Sequence, residues 1–180
     1  MMTNHRKGKD LLMADKMNYY LQIRKIKGLS RAKASELMKT ISPEKLEKIE
    51  NEKQEPVPAD IMELAEGYGE PSIRNYYCAH DCPMGQYYVP EVELKELEKT
   101  VLQMIASLNS MHAMQERFIA ISADGKIDDN EIRDFIKVQK ELERITTAAD
   151  SMQLWTEKML SAGAINMEVY NRIMKEYDDQ

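Results

Sequence analysis

Two long runs of apolar residues at helical spacing constrain the fold of this chain more than any other feature. The first run is Leu94, Leu97, Val101, Met104, Leu108, Met111 and Phe118, and the second is Phe135, Val138, Leu142, Ile145, Ala149, Met152 and Met159. Spacing of three and four residues places side chains on one face of an α-helix. Because only a short turn around Gly125 separates the runs, residues 91–180 are predicted to form an antiparallel helical hairpin followed by a short last helix.

The composition favours an all-α fold. The chain holds 14 Met but only 7 Gly and 6 Pro, and helices accommodate Met well, whereas strands favour β-branched and aromatic residues. No apolar run approaches the roughly 18 residues of a membrane span, and the start of the chain is polar. Two Cys are too few for a disulfide framework. We therefore expect a cytoplasmic protein without a membrane partner.

The negative net charge of −6 conceals a strong asymmetry along the chain. Residues 1–56 carry 13 Lys and Arg against 8 Asp and Glu, a balance of +5, while residues 57–180 carry 12 against 23. Positive charge attracts phosphate, so any nucleic-acid contact is expected at the N-terminal end.

The first half of the chain is punctuated by helix-start and helix-stop signals. Residues 1–15 are interpreted as a basic arm and residues 16–70 as a domain of four short helices. Gly28 ends the first helix, Ser30 caps the second, and Ser42 followed by Pro43 starts the third. Residues 71–90 contain four Tyr and two Cys and are interpreted as a structured linker, before the hairpin domain at 91–180.

Residues 23–69, with the sequence IRKIKGLSRAKASELMKTISPEKLEKIENEKQEPVPADIMELAEGYG, carry a resemblance to a known family. The matching features are Gly28-Leu29-Ser30, the stretch Ile49-Glu50-Asn51-x-Lys53, and a fourth helix with the pattern Pro-x-x-x-x-Ile-x-x-Leu-Ala. This segment, about a quarter of the chain, resembles the Cro/phage-repressor (XRE-like) helix-turn-helix family. The resemblance implies that the third helix enters the DNA major groove while the second crosses the backbone.

The resemblance also implies residue roles. Arg31 falls where family members contact phosphate, Lys45 and Lys48 lie on the outer face of the third helix, and Asn51 and Lys53 lie in a phosphate-contacting loop. Arg24 and Glu50 match an internal salt bridge of the family. The predicted DNA-binding residues are Arg31, Lys33, Thr40, Ser42, Glu44, Lys45, Lys48, Asn51 and Lys53.

Two departures from the family pattern leave an alternative open. The turn Lys39-Thr40-Ile41 is one residue longer than usual, and the third helix begins Pro43-Glu44 where the family has Gln, Arg or Ser. Glu44 and Glu47 would repel phosphate unless Glu44 accepts a hydrogen bond from a cytosine amino group. The alternative is a helix-turn-helix fold that serves as a protein-interaction module.

Cys78, His80 and Cys82 place two thiols and an imidazole within five residues. A structural zinc site needs four such ligands, and the sequence contains no second cluster. Half-buried reduced thiols are the favoured interpretation, with metal binding or redox sensing as alternatives. We therefore predict no metal and no cofactor.

The segment from Asp124 to Glu131 resembles the second half of an EF-hand loop. The first and third ligand positions would fall on Ala120 and Ser122, which lack carboxylates. The segment instead favours a helix exit at Gly125 and a capping box formed by Asp128 and Glu131. No catalytic motif and no small-molecule site are evident, so an enzyme is not expected.

The apolar stripes of the predicted hairpin are wider than a two-helix seam requires. They are flanked by Leu102, Ile105, Ile119, Ile136 and Trp155. A wide stripe faces more than one neighbour. The sequence therefore predicts a transcriptional regulator that binds double-stranded DNA as a homodimer, with the dimer formed through residues 91–162.

Overall fold

A computed structural model describes residues 17–123 and 125–178, so the predicted basic arm at 1–15 lies outside the described residues. Throughout the described part the chain is helical and contains no strand, which confirms the all-α prediction. The helices are α1 (Tyr19–Ile26), α2 (Arg31–Glu36), α3 (Pro43–Glu50), α4 (Pro58–Tyr68), α5 (Ser72–Tyr76), α6 (Gly85–Tyr88), α7 (Leu97–Ser122), α8 (Ile132–Ser161) and α9 (Met167–Asp178). A π-helical turn, Tyr77–Asp81, lies between α5 and α6.

The chain divides into two compact units, Met1–Tyr77 and Cys78–Gln180. The N-terminal unit therefore extends past residue 70, where the sequence places the start of a linker. The physical reason is apolar packing: Ile73 of α5 is completely buried in the core of this unit. The ring of Tyr76 also stacks on Tyr19 of α1, with 3.9 Å between centroids.

The short helices of the N-terminal unit begin where the sequence signals predict. The hydroxyl oxygens of Ser30 and Ser42 accept hydrogen bonds from the N–H groups of Lys33 and Lys45, three residues on. These bonds satisfy backbone donors that a helix start leaves without a partner. The core beneath the helices consists of Tyr20, Ile23, Ala34, Ile41, Leu46, Ile49, Ile61, Leu64, Ala65, Tyr68 and Ile73.

Helix α4 passes close to the end of α2. A Cβ atom on Gly67 would lie 3.1 Å from the carbonyl oxygen of Leu37, a tight contact that a larger residue would need a small backbone shift to make. Leu37, three residues after the buried Ala34, would face inward if the helix continued, but it is 53% exposed. The reason is that α2 ends at Glu36, and the residues after it follow the turn toward α3.

The C-terminal unit is built on the predicted hairpin of α7 and α8, which pack along each other. Gly125 has a φ of 70°, as a helix exit requires. Asp128 accepts a hydrogen bond from the N–H of Glu131 at 3.0 Å, and the Glu131 carboxylate accepts one from the N–H of Asp128 at 3.3 Å. These two bonds confirm the predicted capping box.

The seam between α7 and α8 agrees only in part with the predicted apolar runs. Val138 is buried as predicted, and Val101, Met104, Met111 and Ile145 are partly buried. The buried positions are Thr100, Ser107 and Ile121 on α7, and Val138, Glu141, Ala148, Ser151 and Leu154 on α8. Leu108 and Leu142, both predicted to lie inside, are about half exposed. Small and polar side chains thus share the seam with apolar ones such as Ile121, Val138 and Leu154. Helix α9 is amphipathic but buries no residue.

Candidate nucleic-acid interface

Helix α3, the predicted recognition helix, rests on the core through one face and leaves the other exposed. Leu46 and Ile49 are buried, whereas Glu44, Glu47 and Lys48 are exposed to solvent. The fixed φ of Pro43 in the first turn and the cap at Ser42 hold the start of the helix. Ser42 therefore acts as a helix cap within the domain.

A buried ion cluster anchors the other end of α3. Glu50 accepts two hydrogen bonds from the guanidinium group of Arg24, which confirms the predicted internal salt bridge. The hydrogen bond to Glu50 raises the pKa of Arg24 above its ordinary value. Arg24 also donates to the carbonyl oxygen of Leu29 at 2.7 Å, so the cluster connects α1, the α1–α2 turn and α3.

Arg31 joins this cluster, while its role as a phosphate contact stays a prediction. Its Nε atom donates to the carboxylate of Glu50 at 2.8 Å, and its Nη1 atom lies 3.9 Å from Glu47. The physical reason is that the Glu50 carboxylate is buried and satisfied by donors from two helices. A phosphate contact by Arg31 would have to compete with those bonds.

Lys45 is also held inside the domain rather than presented to a groove. Its ammonium group pairs with Asp60 of α4, whose side chain is 2% exposed. Asp60 accepts a further hydrogen bond from the N–H of Val57, at the start of α4. Burial of the carboxylate makes a paired cation favourable, so a DNA contact by Lys45, which stays a prediction, would have to compete with this ion pair.

Thr40 is another predicted DNA contact that bonds within the domain. Its hydroxyl donates to Glu63 of α4 at 2.8 Å, and the N–H groups of Lys39 and Thr40 donate to the same carboxylate at 2.9 Å. These bonds hold the pKa of Glu63 below its ordinary value, with the Thr40 N–H as the largest cause. The carboxylate thus fixes the longer turn between α2 and α3.

Sequence reasoning missed both acceptors, Asp60 and Glu63. Asp60 follows Pro58 near the start of α4, and an acidic residue in a first helical turn is a recognisable capping signal. No comparable signal identifies Glu63, because its partners lie 23 and 24 residues away in the chain.

Three of the predicted lysines remain available to an external anion. Lys33, Lys48 and Lys53 are exposed, and each forms no ion pair within the described residues. Asn51 is the exposed C-terminal cap of α3. Glu52, which follows it, has a φ of 57°, a left-handed conformation that favours glycine.

Glu44 adds negative charge to the exposed face of α3. Hydrogen bonds from the Ser42 hydroxyl and from its own backbone N–H lower its pKa, so the carboxylate is ionised at neutral pH. An ionised carboxylate repels phosphate but accepts hydrogen bonds from a cytosine amino group. This face is therefore better suited to base contact at Glu44 than to phosphate contact.

The Cys–His segment shows no assembled metal centre. Cys78 and Cys82 are free and half-buried, and burial raises the pKa of the Cys78 thiol. His80 lies 3.1 Å from Glu91, while Cys82 accepts a hydrogen bond from the Gly85 N–H at 3.4 Å. Across residues 17–123 and 125–178, no three metal-ligating side chains come together.

None of the described helices is both long enough and apolar enough to cross a membrane. Comparison of the chain with protein families, with curated proteins and with solved structures finds no match.

Proposed function

We propose that this chain is a cytoplasmic transcriptional regulator that binds double-stranded DNA through α2 and α3 and acts as a homodimer. Helix α3 is the element placed in the major groove, and α2 lies across the backbone. The dimer forms through residues 91–162, which would present two such helices to two half-sites.

The arrangement of α3 carries this proposal. Its inner face is fixed by the buried Leu46 and Ile49, and its two ends are fixed by the Ser42 cap and the Arg24–Glu50 pair. A recognition helix must be held rigidly while one face stays free, because base contacts require defined side-chain positions. Helix α3 meets both conditions.

The charges available for DNA are Lys33, Lys48 and Lys53. They lie on α2, on α3 and in the loop after α3, so phosphate contact is spread over three consecutive elements. With Arg31 and Lys45 bonded inside the domain, the expected affinity is modest and depends strongly on salt. Glu44 is the candidate for base contact, to a cytosine.

A specific observation also favours the second candidate, an interaction module that does not read DNA. The exposed face of α3 carries two carboxylates, Glu44 and Glu47, against one free lysine, Lys48. Leu37 and Met62 are each more than half exposed on the same unit. A protein partner would cover such apolar side chains, whereas DNA would not.

A fluorescence anisotropy titration separates DNA binding from the interaction module. The full-length protein is titrated against a fluorescent duplex of random sequence over a series of salt concentrations. The test variant is Lys33→Ala/Lys48→Ala/Lys53→Ala. Each phosphate contact contributes about 0.9 to the slope of log affinity against log salt, so the slope should fall by roughly 2–3.

The matched control is Lys137→Ala/Lys140→Ala/Lys175→Ala, which removes the same charge from the C-terminal unit. It should leave the slope unchanged, because these lysines lie on α8 and α9. Equal effects of the two triple variants would favour non-specific attraction. Absence of any duplex binding at low salt would favour the interaction module.

A further inference from the structure

Helix α7 has an unusual distribution of charge. Between Thr100 and Gln115 it contains no Asp, Glu, Lys or Arg, whereas α8 carries such residues along its length, among them Lys137, Lys140 and Arg144. A helix that is uncharged around its circumference is suited to burial on more than one side. In the hairpin, α8 covers only one side of α7.

The side of α7 that faces away from the seam carries several exposed apolar residues, with Asn109 and His112 as polar neighbours. Leu102, Ile105 and Leu108 recur at intervals of three residues and are 66%, 48% and 50% exposed, and Ile119 is 60% exposed. The seam itself takes the small polar side chains Thr100 and Ser107. Ile121 is buried as well, and Val101, Met104 and Met111 are partly buried, so the exposed apolar residues form a second apolar surface on α7.

We propose that this apolar face of α7 binds α7 of a second copy of the chain, with the two helices antiparallel. The two-fold axis crosses α7 at the level of Ser107 and Leu108 along the helix. Each hairpin therefore contributes α7 to the centre of a four-helix assembly and α8 to its outside. This arrangement specifies the homodimer part of the proposed function, and it does not depend on DNA binding.

The charges at the ends of α7 select the orientation. The charged residues of this helix are Glu98, Lys99, Glu116 and Arg117. Arg117 already pairs with Asp134 of α8 at 2.8 Å, while Lys99 and Glu116 form no ion pair within the described residues. About the proposed axis, Lys99 of each copy lies beside Glu116 of the other.

A parallel pair of α7 helices would give the opposite result. Lys99 would lie beside Lys99 of the second copy, and Glu116 beside Glu116, so the like charges would repel at both ends. Opposite charges at the rim of an interface fix orientation more than they add affinity. The antiparallel arrangement is thus the one in which both the apolar face and its charges find partners.

Sedimentation analysis of the full-length protein without DNA tests the surface. The wild-type protein should have twice the chain mass at micromolar concentration, and Ile105→Glu should reduce it to a monomer. The control is Ile136→Glu, which makes the same change at a position on α8 with the same 48% exposure. Circular dichroism of each variant verifies that the helices remain folded.

The control variant should remain a dimer. A dimeric Ile105→Glu protein, or equal dissociation of both variants, would contradict the proposed surface. A monomeric wild-type protein would also overturn the proposed dimer. It would mean that α9, another protein or solvent covers the apolar face of α7. Because DNA is absent from this measurement, that result leaves the proposal of DNA binding untouched.

The orientation is tested by charge exchange. Lys99→Glu should weaken the dimer about tenfold, since it converts attraction into repulsion at two symmetric positions. Lys99→Glu/Glu116→Lys should restore the wild-type dissociation constant. Failure of the second exchange to restore it would contradict the antiparallel pairing.

Spin labels give an independent measure of orientation in a Cys78→Ser/Cys82→Ser background. Labels on Glu98→Cys should lie about 28 Å apart along the helix axis, from a rise of about 1.5 Å per residue. Labels on Asn109→Cys, next to the two-fold axis, should be much closer. Short distances at both positions would indicate parallel helices and overturn the proposal.

Discussion

The substitution Glu50→Gln tests whether the buried ion cluster holds α3 in place. Glu50 accepts hydrogen bonds from Arg24 and Arg31, and its side chain is 0% exposed. Glutamine has nearly the same shape but carries no charge, and its amide N–H₂ group would face guanidinium donors. The change leaves Arg24, 8% exposed, without its buried counter-charge.

The expected cost is large for a unit of this size. Removal of one partner from a buried ion pair costs about 3–5 kcal/mol. A domain of some sixty residues has a free energy of unfolding of roughly 3–9 kcal/mol, so the variant loses about half of it or more. In small domains each kcal/mol of lost stability lowers the unfolding midpoint by about 4–8 °C. The midpoint of the N-terminal unit should therefore fall by at least about 12 °C.

The unfolding of the N-terminal unit is followed by near-ultraviolet circular dichroism of its tyrosines, which include the stacked pair Tyr19 and Tyr76. Fluorescence of Trp155, the single tryptophan of the chain, follows α8 and should be unchanged. The matched control is Glu47→Gln, on the exposed face of the same helix, with an expected cost below about 0.5 kcal/mol. Similar stabilities of the Glu50 and Glu47 variants would mean that the buried Glu50 carboxylate does not stabilise the N-terminal unit.

Three further predictions concern the same unit and are measured by urea unfolding. Tyr68→Phe should raise the free energy of unfolding by about 1 kcal/mol, because the Tyr68 hydroxyl is buried without a hydrogen-bond partner within the described residues. Tyr19→Phe should instead lower the free energy of unfolding, because the Tyr19 hydroxyl donates a hydrogen bond to the Ser72 hydroxyl at 2.9 Å. Glu52→Gly should stabilise by about 0.5–1 kcal/mol by relieving the positive φ, whereas Gln54→Gly in the same loop should not. Glu63 has a lowered pKa, so its stabilising effect is complete above the unfolded-state pKa and is lost as pH falls through the folded-state value. Glu63→Gln should therefore flatten the decline of stability in acid, and an unchanged acid profile would contradict this role.

Local signals in the sequence were sufficient for most helix boundaries. Ser30, Ser42 and Gly125 mark helix starts and a helix exit through hydrogen bonds and dihedral angles that depend on a few neighbouring residues. The Arg24–Glu50 pair followed from the family resemblance and is present in the structure. Features set by neighbours in sequence, or by a recognisable pattern, were thus predictable.

Long-range pairing between helices was not predictable in the same way. Lys45 and Asp60 are 15 residues apart, and on the sequence alone Lys45 is one more cation on an outer face. The seam of the hairpin was predictable only in part. Val138 is buried as the apolar spacing predicts, but Thr100, Ser107 and Ser151 are buried too, and small polar side chains give no hydrophobic signal for a seam position.

DNA recognition by α3 is tested most directly by selection with the full-length protein. Bound sequences are selected from a random pool of duplex DNA. A dimer carrying two α3 helices should enrich two inverted half-sites whose centres lie about one helical turn, roughly 10 base pairs, or a multiple of it apart. The enrichment should be lost in Lys33→Ala/Lys48→Ala/Lys53→Ala. A pool that remains random after repeated selection, while the protein is folded and dimeric, would contradict DNA recognition by α3 and identify the unit as an interaction module.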